Sequence, residues 1–336
     1  RTAAFNVHLD VTSRTALHSA AQNGHLDNIS SVKELEVVNK ENNDGRTAFQ
    51  LAAGNDHIDV TTYLIRQRLR AEVNRNDNEG WTALNLAAQE GHLDECARQR
   101  ITEYLISQGA EVNEGDNDGL TALHSAAHEG HLDITEYLIS QEAEVNKGDN
   151  DGLTALHIAA KNGHHDVTKY LISQGAEVNK GNNDGYTAFH SAARKGHLDV
   201  TKYLISQGAE VNKGDNEGRT ALHSAAQNGH LDVTKYLISQ GAEVNKGDND
   251  GRTAFHSAAL RGNLDVTKYL ISQGAEVNKG NNDGYTAFHS AARKGHLDVT
   301  KYLISQGAEV NKGDNDGRTA FHSAALRGNL DVTKYL

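Results

Sequence analysis

A fixed period of 33 residues is the feature of this sequence that most constrains its fold. The motif Thr-Ala-Leu or Thr-Ala-Phe occurs ten times in 336 residues, and from the fifth copy onward each copy starts 33 residues after the last. The copies begin at Thr15, Thr47, Thr82, Thr121, Thr154, Thr187, Thr220, Thr253, Thr286 and Thr319. Since one such unit can bury its apolar face only against its neighbours, the period predicts a solenoid.

The unit that starts at Thr187 shows what each copy encodes. Thr187 is a favourable N-cap, and the apolar residues Phe189, Ala192 and Ala193 follow at the spacing of one helical face. Gly196 is suited to ending this first helix because glycine readily adopts the left-handed conformation.

The rest of the same unit predicts a second helix and a turn. From about Leu198, the residues Val200 and Leu204 lie on one helical face, and Gly208 provides the stop. Residues 211–218 are polar and rich in Asn, Asp and Gly, which indicates a projecting β-turn or hairpin. Each unit therefore reads as helix, turn, helix and hairpin.

At this point a family resemblance becomes specific. Residues 250–259, Asp-Gly-Arg-Thr-Ala-Phe-His-Ser-Ala-Ala, with Gly262, 274–275 and 277–278, resemble the ankyrin-repeat signature. The pattern recurs in register in nine or ten copies over residues 14–336. The resemblance implies an all-α fold with short β-hairpin fingers, an ankyrin-repeat α-solenoid that is a curved superhelical stack of about ten units.

Four features depart from the family pattern. Ala stands in every copy where the family usually has Pro after the Thr. Gln50 and Asn85 stand where the family has His, and Glu142 replaces the Gly that ends a second helix. If the left-handed geometry is kept at Glu142, we expect strain of roughly 1–2 kcal/mol there.

The copies differ in regularity along the chain. Residues 1–12 resemble a degenerate partial repeat, residues 13–120 form irregular repeats, and residues 121–336 form regular ones with the last truncated. The third copy gains six residues, Glu95 to Arg100, at the start of its second helix. Because neither end carries a polar capping unit, we expect an interior piece of a longer array.

Composition limits the compartment and the function classes. The net charge of −12 argues against a general nucleic-acid binder, since phosphate contacts need a basic surface. A single cysteine, Cys96, excludes an internal disulfide framework and predicts an intracellular location in the cytoplasm. No run of 18 apolar residues and no signal peptide occurs, so we expect no direct membrane insertion.

The chemistry-bearing residues point to no catalytic, metal or cofactor site. Copies of the 19 histidines would stack roughly 10 Å apart, too far to share a zinc ion. The resemblance implies that the Thr-x-x-His histidines hydrogen-bond the backbone and fix the hairpin. The glycine-rich turns lack phosphate-loop spacing, and Cys96 has no orienting partner. We therefore predict a protein that is not an enzyme.

The positions that differ between copies are the candidates for partner binding. The resemblance implies that partners contact the hairpin tips and the first helices along the concave groove. From Thr187 onward these positions are basic and aromatic, and Tyr, Trp and Arg are enriched at binding hot spots. The predicted partner-binding residues are Trp81, Tyr186, Arg194, Lys195, Arg219, Arg252, Arg261, Tyr285, Arg293, Lys294, Arg318 and Arg327.

The charge is split along the chain. Residues 1–152 hold 12 Lys or Arg against 26 Asp or Glu, and residues 153–336 hold 21 against 19. This split suggests a protein-interaction scaffold whose C-terminal half binds an acidic segment, while the N-terminal half repels that segment or takes a basic one. The alternative for the split is ordinary scatter of charge on a solvated face.

Two other functions and a modification stay open from the sequence alone. The chain could be a structural or elastic spacer, or a membrane–cytoskeleton tether, within a larger protein. It could also be the regulatory subunit of an enzyme. The Asn that ends each Gly-Ala-Glu-Val-Asn run resembles positions that an asparaginyl hydroxylase modifies in the family, although an Asn that closes the turn before the hairpin is the favoured explanation. The sequence leaves the oligomeric state undetermined.

Overall fold

The computed structural model describes residues 16–30, 38–66, 72–89 and 95–336. The partial repeat predicted at residues 1–12 and the irregular segments near residues 34–37 and 67–70 lie outside these residues. The contacts divide the chain into two compact units. The N-terminal unit comprises residues 1–159 and 166–176, and the C-terminal unit comprises residues 160–165 and 177–336.

Each described repeat contains a first and a second helix, which confirms the all-α prediction. Residues 16–22 form the first helix of the earliest described repeat. The other first helices are α2 (Ala48–Gly54), α4 (Ala83–Gln89), α6 (Ala122–Glu129), α8 (Ala155–Asn162), α10 (Ala188–Lys195), α12 (Ala221–Asn228), α14 (Ala254–Arg261), α16 (Ala287–Lys294) and α18 (Ala320–Leu326).

The second helices alternate with the first along the chain. They are α1 (Leu26–Ser30), α3 (Ile58–Arg66), α5 (Glu95–Ser107), α7 (Leu132–Ser140), α9 (His165–Ser173), α11 (Leu198–Ser206), α13 (Leu231–Ser239), α15 (Leu264–Ser272), α17 (Leu297–Ser305) and α19 (Leu330–Tyr335). Helix α5 has 13 residues where α7 has 9, because the predicted insertion from Glu95 extends its start.

The ends of the helices form as their sequences predict. The Thr187 side chain accepts a hydrogen bond from the His190 N–H and so caps α10. Gly196 ends that helix with a φ of 82°, and Gly208 follows α11 with a φ of 87°. Glu142 keeps the left-handed conformation with a φ of 67°, which confirms that a non-glycine residue is held in a strained geometry after α7.

The predicted hairpins are tight turns rather than pairs of strands. Among the described residues, single antiparallel bridges such as Gly181 with Thr187 and Gly280 with Thr286 close them. Each turn also bonds to the turn of the preceding repeat: the Asn216 N–H donates to the Asp184 carbonyl at 2.8 Å, and its side-chain amide donates to the Asn183 carbonyl at 3.0 Å. These bonds hold neighbouring turns in register.

The core consists of small and large apolar side chains on the first helices, together with the buried valine and leucine side chains of the second helices, such as Val200 and Leu204. In the C-terminal unit, α10 packs on α12, α12 on α14, α14 on α16 and α16 on α18. Phe288 is 1% exposed between its neighbours, and the paired alanines Ala291 and Ala292 are fully buried beside it. Alanine lets helices approach closely, whereas the phenylalanine fills the remaining space. Phe321, at the same position in the last repeat, is 45% exposed.

Candidate binding groove

Two first helices of the C-terminal unit end in a pair of basic residues. Helix α10 ends in Arg194 and Lys195, and helix α16 ends in Arg293 and Lys294. All four side chains are exposed. Cations at this end of a helix are favoured by the helix dipole. Within the part of the chain that the structure describes, none of the four forms an ion pair with a carboxylate, and the Arg194 guanidinium interacts with the Tyr186 hydroxyl.

A groove of about 370 Å³ runs along the ends of α14 and α16. Four residues that the sequence predicted as partner contacts line it together: Arg252, Tyr285, Arg293 and Lys294. The remaining lining side chains are His256, Ser257, Leu260, Asn281, Asp283 and Ser290. The groove is thus lined mainly by polar side chains, and its cations outnumber its one carboxylate.

The groove tyrosines are part of the scaffold as well as of the surface. The Tyr285 hydroxyl donates to the His289 carbonyl at 3.3 Å and to Ser323 Oγ of the next repeat at 3.2 Å. Its ring lies 4.9 Å from the His289 ring. Tyr186 makes the equivalent contacts with His190 and Ser224, and burial raises the pKa of its hydroxyl. Each tyrosine is therefore held rigidly with one edge toward solvent.

The turn arginines already have carboxylate partners. Arg219 pairs with Asp215 at 2.9 Å and with Glu217 at 3.0 Å. Arg252 pairs with Asp250 at 2.9 Å, and Arg318 pairs with Asp316 at 3.1 Å. The sequence did not separate these arginines from the basic pairs at the helix ends, because the pairing depends on the fold of the turn. The structure makes the helix-end cations the stronger candidates for an added anion.

The other predicted contact residues are more scattered. Arg261 ends α14 and Arg327 follows α18; both are exposed and neither is among the residues that line the groove. Trp81 belongs to the N-terminal unit, where its backbone N–H donates to Asp77 Oδ1 at 2.8 Å and its side chain is half-buried.

The Thr-x-x-His histidines have a structural role, as the resemblance implied. In the repeat of His190, the Thr187 N–H donates to Nδ1 at 3.2 Å. The Nε2–H then donates to the carbonyls of Lys213 and Arg219, each at 3.1 Å. This bonding requires the neutral ring, and burial lowers the pKa of His190. The histidine thus links its own helix cap to the following turn.

Burial lowers the pKa of the equivalent histidines in other repeats as well. The pKa of His256 falls to about 4. The pKa values of His124, His223 and His289 are also lowered, in each case with burial as the largest cause. Within the described residues, no group of three His, Cys, Asp or Glu side chains could hold a metal ion.

Gln50 takes over the histidine's bonds, which sequence reasoning had noted only as a departure. The Thr47 N–H donates to Gln50 Oε1 at 2.8 Å. The Gln50 amide donates to the Arg75 carbonyl at 2.8 Å and the Trp81 carbonyl at 2.9 Å. An uncharged amide can therefore replace the imidazole without loss of either bond.

A second set of histidines joins neighbouring repeats at the end of each first helix. His230 Nε2–H donates to the Arg194 carbonyl at 2.9 Å, and His296 Nε2–H donates to the Leu260 carbonyl at 3.1 Å. Asn263 performs the same task with its amide, which donates to the carbonyls of Ala226 and Gln227. At the second basic pair, the Asn329 amide donates to the Arg293 carbonyl at 2.7 Å, so the backbone of both pairs is fixed by the following repeat.

The asparagines considered for modification both donate and accept hydrogen bonds. Asn179 donates from Nδ2 to the Gly208 carbonyl at 2.8 Å and accepts at Oδ1 from the Glu210 N–H at 3.0 Å. They join adjacent repeats, which supports the turn-closing interpretation.

A wider cavity, of about 950 Å³, lies along the second helices of the N-terminal unit. Sequence reasoning did not find it, because its lining is drawn from α1, α3, α5 and α7. Asp59, Arg66, Arg100 and Glu103 bring both signs of charge to it. The mixed lining indicates no preference for one sign of partner.

Two further observations bear on the class of protein. In the described part of the chain, no helix is both long and apolar enough to cross a bilayer. A family model described as ankyrin repeats in three copies matches residues 17–99, 68–149, 93–182, 142–215, 174–248, 202–281, 243–314 and 274–336. No curated protein in the comparison matches the chain.

Proposed function

Because the chain belongs to the ankyrin-repeat family, we propose that it is a non-catalytic scaffold that binds an acidic segment of a partner protein. Ankyrin repeats generally mediate protein–protein interaction. The observation that carries the finer proposal is the groove in which Arg252, Tyr285, Arg293 and Lys294 meet.

The charge state of the groove favours an anionic partner. Arg293 and Lys294 are exposed and form no ion pair within the described residues, whereas the Arg252 charge is offset by Asp250. An acidic side chain placed between the two unpaired cations would gain charge-assisted hydrogen bonds, which are stronger than those between neutral groups. At physiological salt, charges attract over about 8 Å, so the contact must be close.

The rigidity of the groove also supports a binding role. Tyr285 is tied to Ser323 of the next repeat, and His296 holds the backbone at Leu260. Side chains that are already fixed lose little conformational freedom when a partner arrives, which favours affinity. Tyrosine and arginine are also the residue types most often found at binding hot spots.

The experiment compares the full chain with a charge-reversed variant in titrations with a glutamate-rich peptide and in capture of partners from cell extract. The variant carries Arg194→Glu, Lys195→Glu, Arg293→Glu and Lys294→Glu. We expect it to lose peptide binding and to lose a captured partner that the parent chain retains, and the parent affinity to weaken with added salt.

A matched control keeps the same change in net charge but moves it to the second helices. It carries Lys202→Glu, Lys235→Glu, Lys268→Glu and Lys301→Glu, all at exposed positions. This control should bind the peptide nearly as the parent does. Equal binding by the parent and the groove variant would contradict the proposal, and would favour the spacer function or another binding face.

A further inference from the structure

The basic pair occurs twice, on two copies of one sequence. Residues 186–216 are identical to residues 285–315, and the two segments start 99 residues apart, which is three repeats. Both lie in the C-terminal unit. The first helices between them end differently, in the neutral Gln227-Asn228 and in Leu260-Arg261.

The two copies also have matching geometry. The tyrosine ring lies 5.0 Å from the histidine ring at Tyr186 and 4.9 Å at Tyr285, with ring planes at 34° and 37°. The glycines after the basic pairs, Gly196 and Gly295, have φ values of 82° and 79°. The C-terminal unit therefore presents one basic surface twice, separated by repeats that carry no second pair.

The spacing of the two surfaces sets the length of a chain that reaches both. Neighbouring helices pack about 8–10 Å apart, so three repeats separate the pairs by roughly 30 Å. An extended peptide covers about 3.3–3.6 Å per residue and crosses that distance in about nine residues. A helix rises about 1.5 Å per residue and would need about twenty.

The section of groove that the structure shows favours the extended form. The groove of about 370 Å³ lies between two adjacent first helices, so it covers roughly 10 Å along the stack. A helix with side chains is about 10–12 Å wide, whereas an extended segment is narrower and needs less of this space. Asp283 also lines this section, which disfavours an unbroken run of acidic residues.

We propose that the pairs Arg194-Lys195 and Arg293-Lys294 act together, and that they select an extended acidic segment with two carboxylate clusters about nine residues apart. The inference rests on the proposed function and adds the pattern that the partner must carry. Binding at one pair makes binding at the other intramolecular, so affinity depends on spacing as well as on charge.

The test uses the full chain and synthetic peptides with two Glu-Glu clusters joined by proline-rich linkers, which stay extended at about 3.1 Å per residue. The clusters are separated by 4, 9 or 20 residues, and a peptide with one cluster gives the single-site affinity. One further peptide joins the clusters through a helix-forming linker of twenty residues. We expect the nine-residue spacing to bind at least roughly tenfold more tightly than the four-residue spacing or the single cluster. The twenty-residue spacing should be weaker than the nine-residue one.

Variants of each basic pair distinguish binding that engages both pairs together from binding that depends only on total charge. One variant carries Arg194→Glu with Lys195→Glu, and another carries Arg293→Glu with Lys294→Glu. Each should bind the peptide with nine residues between its clusters no more tightly than the peptide with a single cluster. The control Lys202→Glu with Lys301→Glu makes the same charge change in the same two repeats and should retain the preference for nine residues.

Two outcomes would overturn the inference. One is an affinity that depends on the number of glutamates and not on their spacing, and the other is tightest binding by a helical peptide with twenty residues between clusters. In either case, loss of single-cluster binding in the four-site variant would leave the proposed function standing. Retention of single-cluster binding in that variant would contradict the proposed function itself.

Discussion

The N-terminal and C-terminal units use the same core but differ in charge at one position of the second helix. This position is lysine in the C-terminal unit, whereas α5 and α7 of the N-terminal unit carry glutamate and α9 carries lysine. Lys202, for example, lies 5.9 Å from the centre of the Tyr236 ring in the next repeat. In α5 the residue is Glu103, and burial and then the Glu103 charge raise the pKa of Tyr137. The comparison teaches that the fold tolerates either sign there.

Two repeats of the N-terminal unit, those with Gln50 and Asn85, cap the first helix without a histidine. Gln50 in the N-terminal unit and His190 in the C-terminal unit make the same bonds to the Thr backbone and to the following turn. Only the imidazole can take up a proton, and burial lowers the pKa at which His190 does so. The repeats thus share the residues that determine the fold. The exposed and capping residues differ, and they determine the surface charge and the response to acid.

The largest expected effect tests whether the cores are equivalent. Phe49 in the N-terminal unit and Phe288 in the C-terminal unit are each 1% exposed. Replacing either with alanine should lower the free energy of unfolding by about 3–5 kcal/mol, because a large cavity forms in a close-packed core. Denaturant unfolding of Phe49→Ala and Phe288→Ala checks this.

Phe321→Ala is the internal control for this experiment. Because Phe321 is 45% exposed, its replacement should lower the free energy of unfolding much less. A cost at Phe49 well below that at Phe288 would show that the two units do not share an equivalent core.

The next effect sharpens the contrast between the caps. His256 has a folded pKa of about 4 against an ordinary value of 6.5, so the unfolded chain binds its proton first as the pH falls. The stabilisation is complete above pH 6.5 and is lost as the pH falls toward 4. Between pH 7 and pH 5, His256 alone should lower the free energy of unfolding by roughly 2 kcal/mol.

The variant His256→Gln tests the source of this acid sensitivity, because Gln50 shows that an amide fits the site. Denaturant unfolding at pH 7 and pH 5 should show a smaller loss of stability in the variant than in the parent. An identical pH dependence in both would mean that other groups control the acid response.

A smaller effect concerns the residue after the second helix. Glu142 in the N-terminal unit and Gly208 in the C-terminal unit both have left-handed backbones, with φ values of 67° and 87°. A Cβ at Gly208 would meet no atom within 4 Å, so only backbone strain opposes a side chain there. Gly208→Glu should therefore destabilise the protein by about 1–2 kcal/mol.

The reverse change, Glu142→Gly, should stabilise the protein by about 1 kcal/mol, as measured by thermal or denaturant unfolding. Opposite signs for the two exchanges are the expected result. The same sign for both would place the effect in neighbouring side chains and not in the backbone.

The smallest expected effect comes from variants that exchange the charges on the second helices. Lys268 lies 5.8 Å from the centre of the Tyr302 ring, and Lys268→Glu should cost about 0.5–1 kcal/mol because the cation–π contact is lost. Glu103→Lys should have a small effect of opposite sign beside Tyr137. If neither exchange changes the unfolding midpoint, the lysine–tyrosine contacts do not contribute to the difference between the units.

The sequence predicted the repeating parts of the structure well, because each local signal agrees with the others. Thr187, Gly196 and Gly208 specified the helix boundaries, and the apolar spacing from Phe189 specified the buried face. The left-handed geometry at Glu142 was also predictable, since glycine occupies the same position after the second helix in all the remaining regular repeats that reach it.

The candidate site was less predictable, because it depends on contacts between repeats. The sequence identified Arg219 and Arg252 as groove residues but could not show that Asp215 and Asp250 pair with them. It likewise could not show that the Tyr285 hydroxyl bonds to Ser323, 38 residues away. The position of a side chain relative to the next repeat follows from stacking, which the pattern within one repeat does not encode.

The most direct test of the account is the reactivity of individual lysines toward an amine-acylating reagent. The full chain is labelled with and without a saturating glutamate-rich peptide, and each lysine is quantified by mass spectrometry. We expect Lys195 and Lys294 at the helix ends to become protected, while Lys202 and Lys301 on the second helices keep their reactivity. Protection of Lys202 and Lys301 with no change at Lys195 and Lys294 would contradict this expectation.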